Sequence, residues 1–142
     1  MILVDTSALL SAMDARDPLQ RRVSAVLLAS RGPRLLSPFV LAELNYVLAR
    51  RVGSSVARRL LDEVIRGAYR LEPIDMDDLA RAAAIIDRYR DLDLGLADAS
   101  IVVLAERHGI DTVVTLDERH FRAVIGPGGR QFRILPADGT AA

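Results

Sequence analysis

Five short strand-prone stretches, 2–5, 34–36, 71–74, 112–115 and 132–134, alternate along the chain with helical patterns. The helical patterns cover roughly 7–13, 18–30, 38–51, 54–69, 76–90, 96–108 and 117–124. This alternation confines the chain to an α/β fold. Each parallel strand must be reached through a helical crossover, and the crossovers cover both faces of a mainly parallel sheet. The runs Ile2-Leu3-Val4 and Val113-Val114 are continuously apolar, as strands buried on both faces require. Gly53, Gly109 and Gly128-Gly129 punctuate helix ends and turns. With 142 residues, 51% of them hydrophobic, and no repeat or linker, a single domain over 1–136 is expected. A flexible tail is expected from 137 to 142.

Ligands of an open parallel sheet collect beyond the carboxyl ends of its strands. Two aspartates stand there: Asp5 ends the first apolar run and Asp117 follows Thr115-Leu116. Each is also a good N-cap for the helix that follows, so the local sequence leaves capping and function open. Asp5 can face a cleft while Ser7 caps. Glu43 borders the apolar stripe Val40, Leu44, Val47 and Leu48. A glutamate buried there would have to be paired, protonated or bound to a cation. Asp98 shares a helical face with Ile101, Val102 and Ala105. The helix dipole explains an acid near a helix start but not one on the inward face. Asp91 and Asp93 read as loop residues, Asp93 at the rim of a cleft. His120, near Asp117, reads as an exposed helix residue.

Composition removes many chemistries. The chain has no cysteine, lysine or tryptophan and only two histidines. Thiol nucleophiles, Schiff bases, a P-loop lysine and cysteine-based zinc sites are therefore excluded. Carboxylates without soft ligands point to a hard divalent cation such as Mg²⁺ or Mn²⁺. The formal net charge is zero, which argues against a general nucleic-acid-coating surface. The start of the chain lacks the pattern of a secretory signal, and no apolar stretch is long enough to span a bilayer. A cytoplasmic protein with no membrane association is expected.

Four segments together resemble the PIN domain, and within it the VapC-type toxins of bacterial toxin–antitoxin pairs. They are Val4-Asp5-Thr6-Ser7-Ala8-Leu9, Ser37-Pro38-Phe39-Val40-Leu41-Ala42-Glu43-Leu44, Leu96-Ala97-Asp98-Ala99 and Thr115-Leu116-Asp117-Glu118-Arg119-His120-Phe121. The likeness spans nearly the whole chain and no acidic position is missing. It implies a three-layer α/β/α sandwich around a mainly parallel five-stranded sheet. It also implies a Mg²⁺-dependent endoribonuclease, with Mn²⁺ as a possible substitute. The acidic quartet would be Asp5, Glu43, Asp98 and Asp117. Asp5 and Asp98 would hold metal directly, and Glu43 and Asp117 directly or through water. Thr6, Ser7 and Thr115 would be supporting hydroxyls. The implied partners are an RNA, a VapB-like antitoxin covering the cleft, and a second copy in a homodimer. With so few aromatic residues, shape recognition of a structured RNA is expected over base stacking.

Three rivals remain on sequence grounds. A non-catalytic PIN-like RNA-binding protein would bind without turnover. A receiver-type signalling domain needs a lysine beside its aspartate, which this chain lacks. A small-substrate phosphatase of the haloacid-dehalogenase type expects Asp-x-Asp, whereas Asp5 is followed by Thr6-Ser7.

Overall fold

The computed structural model describes residues 1–139. Its elements are β1 (Ile2–Val4), α1 (Thr6–Ala12), α2 (Gln20–Ala29), β2 (Arg34–Leu36), α3 (Pro38–Arg51), α4 (Ser54–Ile65) and β3 (Arg70–Leu71). They continue with α5 (Met76–Arg88), α6 (Leu96–His108), β4 (Thr112–Val114), α7 (Glu118–Ala123) and β5 (Arg133–Leu135). A 3₁₀ turn over Arg90–Leu92 joins α5 to α6. The expected elements are present with shifted ends. The fourth helix stops at Ile65 because Gly67 takes a positive φ of 90° and the chain turns toward the sheet.

All four strand pairings are parallel, in the order β3-β2-β1-β4-β5. Leu3 of the central strand stands opposite both Leu35 and Val113, so three apolar strands share one register at the middle of the core. Ile2, Leu3 and Val4 are buried, as the unbroken apolar run requires. From β1 the chain builds outward to β2 and β3, then returns to the other side for β4 and β5. The order therefore reverses between β1 and β4, which is where open α/β sheets bind ligands.

The helix α6 is buried around most of its circumference, by Ala97, Ala99, Ser100, Ile101, Val102, Val103, Leu104 and Ala105. It is an interior helix, packed by α5 and α3 and against β1. Ser37 starts α3 by accepting the Phe39 N–H, with Pro38 at the first helical position. Its hydroxyl also lies 2.6 Å from that of Ser100, whose own proton goes to the Ala97 carbonyl. Ser37 must then donate to Ser100, since a hydroxyl has one proton to give. This buried bond fixes the start of α3, which carries Glu43, against the first turns of α6, which carry Asp98.

The end of the chain differs from the expectation. Residues 137–139 are not a free tail: Asp138 accepts the Ile134 N–H at 2.8 Å and two bonds from Arg122 at 2.6 and 2.9 Å. The Arg122 hydrogen bonds hold its carboxyl down at about 2. The rest of the expected tail, 140–142, lies outside the described residues. Among the described residues no helix is long and apolar enough to cross a membrane.

Candidate active site

Asp5 leaves β1 in extended conformation at the N-cap position of α1, yet its side chain does not cap. It turns instead to the neighbouring strand end. Asp5 Oδ2 accepts the Ser7 hydroxyl at 3.0 Å and the Thr115 hydroxyl at 2.7 Å. Ser7 in turn accepts the Leu116 N–H at 2.9 Å, and Thr115 accepts the Asp117 N–H at 2.9 Å. Each hydroxyl thus spends its one proton on Asp5 and is itself oriented by a backbone N–H beyond β4. The 3.1 Å contact between the two hydroxyls has no proton left for it and is a side-by-side approach. Ser7 is therefore not a helix cap but a link from β1 to β4. Asp5 Oδ2 accepts both hydroxyls, and among the described residues no side chain donates to Oδ1. Burial raises the Asp5 carboxyl above its ordinary value, the Thr115 and Ser7 hydroxyls oppose this, and nearby Asp117 adds to it.

Asp98 and Asp117 complete an acidic cluster around this carboxylate. Asp98 sits in the first turn of α6, its Oδ2 accepting the Gly95 N–H at 3.3 Å. Burial first, and the charge of Asp5 second, push its carboxyl up to about 6. Asp117 does cap α7, accepting the His120 N–H at 3.3 Å. Its other oxygen lies 2.7 Å from His120 Nδ1, so capping and cleft-facing coexist in one side chain. The helix α7 is held down by Phe121, whose ring meets Phe132 edge-on with centroids 5.9 Å apart.

Two expectations are corrected. Glu43 lies on the exposed side of α3, although its stripe neighbours Val40, Leu44 and Leu48 are buried. It needs no buried partner, and among the described residues it makes no hydrogen bond or ion pair with the aspartates. His120 is mostly buried rather than exposed, with its side chain 18% accessible. Its Nε2 lies 2.9 Å from the Leu92 carbonyl. The sequence signal for this was its spacing: three residues after a capping aspartate, a side chain returns to the cap. Thr6 is buried beside Asp5, and its Oγ1 has no hydrogen-bond partner among the described residues.

The donor set fits a hard cation. No arginine among the described residues pairs with Asp5, Asp98 or Asp117, and burial first, with the neighbouring carboxylates adding to it, raises the proton affinity of Asp5 and Asp98. Among the described residues no three His, Cys, Asp or Glu side chains are grouped so as to cage a metal ion by themselves. A zinc site would demand such a cage, whereas Mg²⁺ keeps most of its water and uses one or two carboxylates.

A raised pKa in the folded state carries a definite sign. Between the usual aspartate value and about 6, the native protein holds a proton on Asp98 that the unfolded chain has lost. Metal-free protein is therefore expected to lose stability relative to Asp98→Asn as pH rises through this window. Melting temperatures of both proteins in chelator, across a pH series, measure that difference. A gap that does not change with pH would place the Asp98 carboxyl in ordinary water contact.

Comparison with known proteins supplies the lineage. The PIN domain family model matches residues 2–126. Over 135 residues the chain is 40% identical to ribonuclease VapC26 of Mycobacterium tuberculosis, covering 95% of this chain and 100% of that protein. The crystal structure of VapC20 from the same bacterium, a sarcin–ricin-loop-cleaving toxin, aligns with a TM-score of 0.79 at 22% identity, covering 84% of this chain and 92% of its own. VapBC2 of Rickettsia felis, solved on a DNA fragment from its promoter, aligns with a TM-score of 0.67 at 18% identity, covering 94% of this chain and 98% of that one. These two structures match in fold: a five-stranded parallel sheet between helices. With the family model spanning most of the chain and a full-length relative at 40% identity, this chain is a member of the PIN-domain family, of the VapC kind.

Proposed function

We propose that the protein is a divalent-metal-dependent endoribonuclease and the toxin of a VapBC-like toxin–antitoxin pair. The observation that carries this is Asp5, buried, gripped by two hydroxyls and set beside Asp98 and Asp117, in a chain 40% identical end to end to a ribonuclease. Asp5 and Asp98 are assigned as direct ligands of Mg²⁺, or of Mn²⁺ in its place. Asp117 and Glu43 act directly or through water, Glu43 from the open side of the cleft. Thr115, Ser7 and Thr6 support the site. Bound there, the cation lowers the pKa of a water molecule toward neutrality and stabilises charge on the phosphate oxygens.

The chain's own residues supply the positioning. Ser7 and Thr115 hold Oδ2 of Asp5 and so fix the orientation of the carboxyl, and their hydroxyl protons oppose the rise in its proton affinity that burial imposes. The Ser37–Ser100 bond sets α3 against α6 and so places Glu43 relative to Asp98. Hydrolysis of a phosphodiester in this reading leaves a 5′-phosphate and a 3′-hydroxyl. A structured RNA is the proposed substrate, contacted through arginines. The partners are a VapB-like antitoxin and a second copy of the chain, and the setting is the cytoplasm. Among similar folds are toxin–antitoxin complexes, which supports the antitoxin. A groove lined by Met13, Leu28 and Tyr69 together with Arg34, Arg59 and Glu63, where Leu28 is 80% exposed, offers a protein partner a mixed apolar and charged surface.

The test is incubation of purified, antitoxin-free protein with total cellular RNA, with Mg²⁺, with Mn²⁺ and with chelator. Discrete fragments that need metal and disappear in Asp5→Asn are expected. RNA binding without cleavage under either metal would favour the non-catalytic reading, and turnover of small phosphoesters without RNA cleavage would favour a phosphatase.

A further inference from the structure

His120 joins α7 to the 3₁₀ turn that leads into α6. A carbonyl oxygen can only accept, so the 2.9 Å contact to Leu92 O requires a hydrogen on His120 Nε2. The opposite nitrogen, Nδ1, is buried 2.7 Å from Asp117 Oδ2 and 3.6 Å from Asp98 Oδ2, without an aligned hydrogen bond. Leu92 ends the 3₁₀ turn, and the next residue, Asp93, takes the left-handed φ of 52° that swings the chain back toward α6. Two residues later, the Gly95 N–H bonds Asp98 Oδ2. The other end of this segment is tied as well, since Tyr89 Oη accepts the Ile125 N–H at 3.0 Å.

These contacts close a ring: Asp117, the imidazole of His120, the backbone from Leu92 to Gly95, and Asp98. We propose that His120 is a positioning residue whose imidazole clamps the 90–95 turn onto α7 and thereby sets Asp98 and Asp117 at their working separation. Without the clamp, the turn is held only at its ends, through Tyr89 and Gly95, with no side chain among the described residues fastening its middle to α7, and Asp98 shares its freedom. A left-handed non-glycine residue at 93 makes this turn costly to maintain unless both its flanks are tied. The inference rests on the nuclease reading for its effect on turnover but not for its effect on the turn.

Two substitutions separate the ends of the clamp. Glutamine at 120 presents an amide N–H where Nε2 lies and keeps the Leu92 bond. Asparagine reaches only as far as Nδ1 and loses it. The experiment measures Mn²⁺ affinity by electron paramagnetic resonance, amide exchange at 90–95, and kcat and KM on a cleaved RNA. His120→Ala is expected to weaken Mn²⁺ binding about tenfold, quicken exchange at 92–95 and lower kcat about 10- to 100-fold with little change in KM. His120→Gln should restore slow exchange, Mn²⁺ affinity and most of kcat, and His120→Asn should not. Recovery by asparagine but not glutamine would overturn the proposal, because the ring would then act on the carboxylates or RNA directly. Wild-type Mn²⁺ affinity and exchange in His120→Ala would overturn it too. If the wild type binds Mn²⁺ but cleaves nothing, the nuclease reading fails while the exchange and affinity data still decide the clamp.

Discussion

Asp5→Asn is expected to lower RNA cleavage by about 10³-fold while leaving the protein folded. Asparagine keeps the shape of the side chain, and its carbonyl can still accept the Ser7 and Thr115 hydroxyls. What disappears is one full negative charge at the most buried carboxylate of the cluster. A site that gathers a cation by charge loses several kcal/mol of transition-state stabilisation when one ligand is neutralised, and each 1.4 kcal/mol is about tenfold in rate. Stability should move the other way. Burial and the neighbouring Asp117 both disfavour a charge on Asp5, so the neutral amide is expected to melt no lower than wild type in chelator. Single-turnover cleavage and melting curves on the same preparations read both effects. Activity within about tenfold of wild type would remove Asp5 from the ligand set, and a clear drop in melting temperature would make its carboxylate a structural group.

Arg107→Ala is expected to be the most destabilising single change away from the core, at about 3 kcal/mol. Its guanidinium pairs with Asp78, donates to the Pro73 carbonyl at 2.9 Å and approaches Glu72 at 3.8 Å. Both acids are nearly enclosed, with side chains 5% and 10% accessible. Truncation strands Asp78 with only the Asp75 N–H at 3.0 Å and a distant Arg81 at 3.6 Å. Glu72 keeps Arg70 at 2.7 Å, so the loss falls mainly on Asp78. In a domain of this size the melting temperature should drop by about 10 °C. Arg81→Ala is the control: that side chain is 64% exposed, and an exposed pair contributes at most about 1 kcal/mol. Equal effects from the two arginines would mean that water reaches Asp78 and the cluster is not a buried one.

Much of the local structure was readable before any coordinates. Ile2-Leu3-Val4 and Val113-Val114 could only be buried parallel strands in a chain that alternates with amphipathic helices. Asp98 had to face inward because Ile101, Val102 and Ala105 share its face, and all three are buried. Choices between two local roles were harder. Asp5 and Asp117 had equal claims as caps, and the structure splits them: Asp117 caps α7, whereas the Asp5 side chain caps nothing. Glu43 was placed too deep, since an apolar stripe identifies a face but not how far its border is covered by neighbouring helices. His120 and Arg107 were missed as connectors because their partners, Leu92 and Asp78, are 28 and 29 residues away.

By itself, then, the sequence determined the elements, their buried faces and the acids at the strand ends, because side-chain periodicity and turn chemistry are local properties. The tertiary structure alone decided which strands are neighbours. Apolar triplets such as Leu3, Leu35 and Val113 offer nearly interchangeable pairing surfaces, so their order depends on how the helices pack at once. That order set β1 beside β4 and brought the Thr115 hydroxyl within 2.7 Å of a carboxylate 110 residues away. The carboxylates are written in the chain; their convergence is a product of packing.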